Sequence, residues 1–369
     1  MSSHDIKSKS FRAHFKYCLE LIVYWQNYFN NHNVKAVNVS HTVYMNAIPI
    51  RIATKLNIEC FQANATHVYR LNSENYFAYT EFKDYKKMFA VLSNEEKSVG
   101  IKQAKERIKK RFSGEVGVDM NYSKKSAFTA RNNHKLIRKS NRIKVLVAPH
   151  CFFDSPHPYG LNLYPDVFEW LNELVKISKE TDYDWYVKTH PDFISETKKL
   201  VENIFKPHSK FTILPSDSSH IQLIDEGVDF ALTMYGTIGF EYAAMNIPVI
   251  NASLNNPHIA YDFNINPKTR ENYQKILKNL KNIKHDINIE DVYEYYFMKH
   301  IQPSNNWLFE NYDEMIIQLG IELDQFTSDV YSYWIKHWSK ELDERIKSRL
   351  DIFLNSNIYL LEPNKLNIN

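Results

Sequence analysis

The amino-acid sequence predicts an α/β protein of two domains with a helical C-terminal end. Its 369 residues are enough for about two domains. Short apolar segments alternate with segments whose apolar residues recur at helical spacing, which is typical of a parallel sheet covered on both faces. Aromatic residues make up 14% of the chain, enough bulk for a core in each domain.

The predicted N-terminal domain covers residues 1–140. Its predicted elements are a helix at 11–29, a strand at 34–39, a helix at 43–56, and strands at 58–62 and 67–71. Residues 102–144 hold 14 Lys or Arg and only three acidic residues. The first part of this basic segment, 101–112, predicts a helix, and 121–141 predicts an interdomain linker. The segment is interpreted as a solvated linker or as a surface for an anionic lipid, lipid-linked glycan or nucleotide; no recognition module suggests nucleic acid.

The predicted C-terminal domain covers residues 141–325. Strands and helices alternate more clearly in it than in the N-terminal domain. Strands are predicted at 143–148, 185–189, 211–214, 230–233 and 248–251, and helices at 164–179, 194–205, 220–225 and 238–245. Residues 326–369 are predicted as a helical extension, with one long helix at 329–354. We expect this helix to pack back across the domains; the alternative is a membrane interface.

Glycine and cysteine usage excludes several classes. The eight glycines form neither a G-x-G-x-x-G loop nor a G-x-x-x-x-G-K-[ST] loop, which excludes Rossmann dehydrogenases and P-loop NTPases. The three cysteines lack a C-x-x-C pair and indicate a reducing compartment. Apolar runs are too short for a signal core or a membrane span. The sequence therefore predicts a cytoplasmic protein, at most peripheral on the inner membrane.

Two candidate loops follow the first two predicted strands of the C-terminal domain. Parallel α/β sheets bind ligands beyond the carboxyl ends of their strands. After the first strand, His150 and Asp154 could supply a general base and its orienter, unless they belong to a plain turn. After the second, Lys188 and His190 are two residues apart in extended backbone, so they point to the same side and could bind one anion. A buried histidine with a snorkelling lysine is the alternative.

A third candidate loop follows the strand at 230–233. Gly236 allows close approach of a ligand, Thr237 and the following amides begin a helix, and Glu241 lies one turn further on. This arrangement could hold a phosphate and a ribose hydroxyl. Alternatively, Gly236 and Gly239 serve helix–strand packing. Because the three loops follow strands of one sheet, we expect them to lie along one edge.

Residues 143–251 resemble the C-terminal domain of bacterial capsule and surface-polysaccharide biosynthesis proteins. These are GT-B glycosyltransferases that include the Kdo transferases. The resemblance lies in three motifs: His150-x-x-x-Asp154, Lys188-x-His190-Pro191, and Gly236-Thr-x-Gly-x-Glu241 followed by Asn246-Ile-Pro248-Val-Ile. It implies a GT-B-like fold, with two Rossmann-like domains facing across a cleft and the acceptor held by the N-terminal domain.

The resemblance also implies a role for each motif. His190 would contact the donor phosphate with help from Lys188, and Asp154 would be the catalytic carboxylate. The donor nucleotide would be bound by Gly236, Thr237 and Glu241, and the loop around Asp154 would be supported by His150 and Ser155.

The implied activity is transfer of a sugar from a nucleotide-activated donor, with a CMP-linked donor as one option, to a growing or lipid-linked glycan. No further cofactor and no metal are expected. The D-x-D sequence Asp182-Tyr-Asp184 precedes its predicted strand and so lies at the end of the sheet opposite the candidate loops. The open alternatives are a polyol-phosphate transferase, a sugar-nucleotide epimerase, and a non-catalytic partner in a polysaccharide assembly complex.

Overall fold

The structure is a computed structural model of the chain. It describes residues 3–64, 67–119, 125–129, 131–152, 159–192, 194–302, 315, 318–320 and 327–361. These residues divide into two compact units. The larger unit is Met1–Phe11 with Thr80–Gln302, and the smaller unit is Arg12–Tyr79 with the described part of Pro303–Asn369.

Twelve helices and eight strands are numbered here in chain order over the described residues. The helices are α1 (Lys9–Asn31), α2 (Tyr44–Lys55), α3 (Tyr85–Ala90), α4 (Asn94–Phe112), α5 (Val167–Lys179), α6 (Ser195–Phe205), α7 (His220–Asp225), α8 (Ile238–Ala244), α9 (Arg270–Leu277), α10 (Ile289–Tyr296), α11 (Ser328–His337) and α12 (Lys340–Leu354). The strands are β1 (Ala36–Val39), β2 (Glu59–Ala63), β3 (Val68–Leu71), β4 (Lys144–Val147), β5 (Asp184–Val187), β6 (Phe211–Ile213), β7 (Phe230–Thr233) and β8 (Val249–Asn251).

The larger unit is built on a five-stranded sheet in the order β6-β5-β4-β7-β8, with every pair parallel. Both faces of the sheet are covered, as alternation along β5 illustrates. Trp185 and Val187 pack into the core that contains α5 and α6, whereas Tyr186 packs into the core that contains Tyr242 of α8. The predicted α/β class and parallel sheet are confirmed, and each predicted strand of this sheet lies within two residues of its observed bounds.

The smaller unit contains a three-stranded sheet in the order β1-β2-β3. β1 and β2 are parallel, as in a Rossmann-like domain, but β3 runs antiparallel to β2. The reason is the short connection between β2 and β3, since a parallel crossover needs a dozen or more residues. The backbone N–H of Asn64 donates to the carbonyl of His67 across this connection. Phe29 of α1 and Ile50 of α2 pack against the sheet.

The basic helix α4 packs within the larger unit. Its apolar face places Ala104 and Ile108 in one core with Val292 and Tyr296 of α10. Further along the basic segment, the backbone N–H of Ile137 donates to the Glu226 carboxylate. The chain passes from one unit to the other after Phe11, after Tyr79 and after Gln302, whereas the predicted domains end at residues 140 and 325. The described part of the basic segment is packed structure, which a linker would not be.

The C-terminal extension forms two helices, where the sequence predicts one. Trp338 adopts an extended conformation between them (φ −71°, ψ 122°), and the Ser339 hydroxyl accepts the backbone N–H of Leu342 to begin α12. Phe353 of α12 packs with Val68 of β3, and Leu360 forms an isolated antiparallel β-bridge with Tyr69. The extension thus covers the smaller unit's own sheet. None of the helices in the described ranges is long and apolar enough to cross a membrane.

Candidate functional site

The candidate site lies at the carboxyl edge of the larger sheet, where β4, β5 and β7 end side by side. Lys188 directly follows β5, and its backbone N–H donates to the carbonyl of Val147 on β4. Its side chain is only 3% exposed. The Lys188 ammonium lies 3.2 Å from Nε2 of His220, the first residue of α7, and Nδ1 of His220 lies 2.8 Å from the Tyr242 hydroxyl. These three side chains form a buried hydrogen-bonded chain behind the edge.

Burial controls the ionisation of this chain. It lowers the pKa of Lys188 to about 8, against the opposing effects of the Glu241 and Asp217 carboxylates. Burial also lowers the pKa of His220 well below its usual value, and the neighbouring cationic groups of Lys188 and Arg111 act in the same direction. At neutral pH, Lys188 is therefore the charged member of the pair and His220 is neutral.

His190 occupies the more open part of the site, with 44% of its side chain exposed. The backbone N–H of Asp192 donates to its Nδ1 at 3.2 Å. Partial burial lowers the pKa of His190, and Lys188 and Arg111 lower it further, while Asp192 and Glu241 oppose them. Because Nδ1 of the neutral ring accepts a hydrogen bond, the ring proton is assigned to Nε2.

Glu241 of α8 is paired with Arg111 from the last turn of α4. The carboxylate is buried, and the guanidinium donates to its Oε1 from Nε at 2.9 Å and from Nη2 at 2.5 Å. Both of these hydrogen bonds are accepted by Oε1. The sequence motifs include Glu241 but neither Arg111 nor His220. The only signal for Arg111 was its membership in the basic segment.

The turn between β7 and α8 is closed by its own hydrogen bonds. The Gly236 N–H donates to the Thr233 hydroxyl at 3.2 Å, and the Thr237 carbonyl accepts the N–H groups of Phe240 and Glu241. Gly239 is a packing position: an added Cβ would lie 2.3 Å from Cε1 of the His258 ring. For Gly239 the structure thus agrees with the packing interpretation of the sequence.

Replacing Gly239 with alanine is expected to lower stability by about 1–3 kcal/mol, because the buried His258 ring must move. Chemical denaturation measures the change. Gly236→Ala is the matched comparison: its Cβ would lie 3.0 Å from the Thr233 hydroxyl, a milder contact, so its stability loss should be smaller. Equal losses in the two variants would contradict this assignment.

The loop after β4 is described only in part. His150 lies against Tyr235 from the β7–α8 turn, with ring centroids 4.6 Å apart. The Cys151 thiol lies 3.3 Å from the Thr197 hydroxyl of α6. Asp154 and Ser155 lie outside the described residues, and their roles stay predictions.

The D-x-D sequence lies where its position in the chain predicts. Asp184 begins β5, at the opposite end of that strand from Lys188. Arg142 pairs with both carboxylates, at 3.0 Å from Asp182 and 3.7 Å from Asp184. In the described ranges, no group of three or more His, Cys, Asp or Glu residues is arranged to hold a metal ion.

The edge therefore brings together Lys188, His190 and Glu241 from the predicted set and adds Arg111 and His220. Arg111 is paired with the buried Glu241 carboxylate, which also acts electrostatically on Lys188 and His190. Such a set can bind an anion through Lys188 and His190 while Glu241 accepts a hydroxyl.

No protein-family model and no curated protein sequence matches the chain. Solved structures similar to it include a Thermosulfurimonas dismutans KpsC beta Kdo 2,4 transferase, at 12% identity over 71% of this chain and 78% of that one, with a TM-score of 0.38. A Methanocaldococcus jannaschii UDP-GlcNAc 2-epimerase has 15% identity over 76% of this chain and 79% of that one, with a TM-score of 0.32. The wall teichoic acid polymerase TagF has 16% identity over 57% of this chain and 45% of that one, with a TM-score of 0.27.

Proposed function

We propose that the protein is a GT-B glycosyltransferase of surface-polysaccharide assembly that uses a nucleotide-activated sugar as donor. The observation that carries the proposal is the convergence of Lys188, His190 and the Arg111–Glu241 pair at the carboxyl edge of one parallel sheet. A nucleotide sugar presents the complementary groups, a phosphate and ribose hydroxyls. The motif resemblance of residues 143–251 supports the same class of substrate.

In the proposed reaction, the bond between the anomeric carbon and the donor phosphate breaks and the acceptor oxygen bonds to that carbon. Negative charge then develops on the leaving phosphate. The Lys188 ammonium and the His190 Nε2–H donate to it, and removal of one such donor typically lowers the rate by about 10²–10³. The Glu241 carboxylate accepts a ribose hydroxyl, while Arg111 keeps that carboxylate in place.

Asp154 has the remaining role in this proposal. Its carboxylate removes the proton from the acceptor hydroxyl, or in a retaining variant attacks the anomeric carbon first. The proposed acceptor is a growing or lipid-linked glycan. The proposal needs no metal ion, so transfer should persist in EDTA.

Nucleotide binding tests the proposed function directly. In a thermal-shift screen of CMP, CDP, UDP and GDP, we expect one nucleotide to raise Tm, because a ligand at 100 times its Kd stabilises the folded state by about 2.7 kcal/mol. The shift should disappear in Lys188→Met and persist in Lys105→Met, a surface variant of α4. The absence of any shift would favour a non-catalytic partner over a transferase.

Product analysis with the nucleotide that binds then separates the enzyme classes. A glycosyltransferase forms a glycoside and releases the nucleotide. A polyol-phosphate transferase leaves the donor's phosphate in the product as a phosphodiester, and an epimerase turns over without any acceptor. Only the first outcome agrees with the proposal.

A further inference from the structure

We propose that His220 is a positioning residue for the donor phosphate: through a hydrogen-bonded chain that ends at Tyr242, it fixes the direction of the Lys188 ammonium. This inference rests on the proposed function and deepens it. All three side chains belong to the larger unit and come from separate elements: α7 supplies His220, α8 supplies Tyr242, and Lys188 follows β5.

The direction of the hydrogen bonds follows from the chemistry of the three groups. An ammonium group has donors only, so Lys188 donates to Nε2 of His220 over 3.2 Å. A neutral imidazole that accepts at Nε2 carries its proton on Nδ1. That proton is donated to the Tyr242 oxygen over 2.8 Å. The charged lysine therefore fixes the tautomer of His220, and Tyr242 accepts the proton that this tautomer carries on Nδ1.

Burial strengthens the hydrogen bonds that join Lys188, His220 and Tyr242. Lys188 is 3% exposed and His220 is 7% exposed, so water competes little for their hydrogen bonds. Within the described part of the chain, His220 Nε2 is the one side-chain atom recorded within hydrogen-bond distance of Lys188 Nζ. Up to two N–H groups of the ammonium are then left for phosphate oxygens, and their direction is set by the bond to His220.

The groups around Lys188 predict how the site responds to pH. Burial lowers the pKa of Lys188 to about 8, whereas Glu241 and Asp217 raise it. His190, His220 and Arg111 are the other titratable or charged groups nearby. A lysine with a lowered pKa is charged below that pKa, so anion binding that needs the ammonium should be lost as pH rises through about 8. Loss of the His220 acceptor removes a bond to the charged form and should move this loss to lower pH.

The tautomer is measured on the protein without any ligand, by long-range ¹⁵N NMR of histidine-labelled samples, with His220→Gln to assign the signal. We expect a proton on Nδ1, a lone pair on Nε2, and protonation of His220 only at a pH well below the usual pKa of histidine. In Tyr242→Phe the Nδ1–H loses its acceptor, so the Nε2-protonated tautomer, which requires a neutral Lys188, should appear at lower pH than in the wild type. A wild-type ring protonated on Nε2 would overturn the inference.

The function of the hydrogen-bonded chain is tested by measuring the binding of inorganic pyrophosphate, and of whichever nucleotide binds, between about pH 6 and 10. We expect His220→Leu to weaken binding about tenfold or more and to shift the pH dependence toward acid, since a hydrogen bond to a charged group is lost. His220→Gln retains an acceptor near the Nε2 position and should keep most of the affinity. Lys188→Arg stays charged and should lose the alkaline decline.

The variants keep the inference distinct from the proposed function. Pyrophosphate binding with the expected variant pattern but no transfer would overturn the proposed function alone. Transfer with a wild-type pH profile in His220→Leu would overturn the inference alone. If His220→Leu does not fold, a wild-type binding profile together with an unchanged tautomer in Tyr242→Phe would contradict it equally.

Discussion

Replacing Arg111 with methionine is expected to destabilise the protein by about 3–5 kcal/mol, the usual cost of leaving one member of a buried ion pair unpaired. The side chains of Arg111 and Glu241 are 12% and 5% exposed, so the Glu241 carboxylate would lose its partner in a site with little water. Methionine keeps much of the packing volume and removes the charge. Urea denaturation measures the free energy of unfolding of each variant.

A double-mutant cycle separates the charge from the packing. Arg111→Met combined with Glu241→Met removes both charges and should recover much of the lost stability, because no unpaired carboxylate remains. Lys105→Met is the matched control on the same helix. Its partner Glu290 is 56% exposed, and an exposed pair of this kind contributes less than about 1 kcal/mol. Similar losses in the Lys105 and Arg111 variants would contradict the assigned role of the Arg111–Glu241 pair.

The elements of the larger sheet could be predicted from the sequence because each strand is a short apolar run between helical segments. Helix α7 and strand β7 have the predicted bounds. Lys188 and His190 could be selected because they follow such a strand, and the carboxyl end of a parallel strand has a known position in the sheet. The local sequence therefore predicts both the strand and the edge of the sheet at which the residues after that strand lie.

Arg111 and His220 could not be selected in the same way, because each acquires its role from a distant partner. Arg111 is separated from Glu241 by 130 positions, and His220 from Lys188 by 32. The apolar face of α4 predicts a helix but does not identify α10 as its neighbour. The break at Trp338 did have a local signal, since Ser339 is a favourable N-cap residue within the apolar repeat.

Replacing His190 with alanine is expected to lower the transfer rate by about 10²–10³ while leaving stability nearly unchanged. Its side chain is 44% exposed, so little packing is lost. The expected loss of rate has one physical cause: the Nε2–H of a neutral imidazole no longer donates to the leaving phosphate. The measurement is kcat for sugar transfer with the nucleotide donor identified by binding, together with urea denaturation of the same variant.

His208→Ala provides the control, since this histidine precedes β6 and therefore lies at the opposite end of the sheet from His190. It should transfer sugar at the wild-type rate. His190→Gln retains a side-chain donor near the position of Nε2 and should recover part of the rate, which a purely structural role for His190 would not predict. Because His190 would act on the leaving phosphate, His190→Ala should lower kcat by a larger factor than the factor by which it raises KM. Full activity in His190→Ala would exclude His190 from the catalytic machinery, and the phosphate would then depend on Lys188 and its chain to His220.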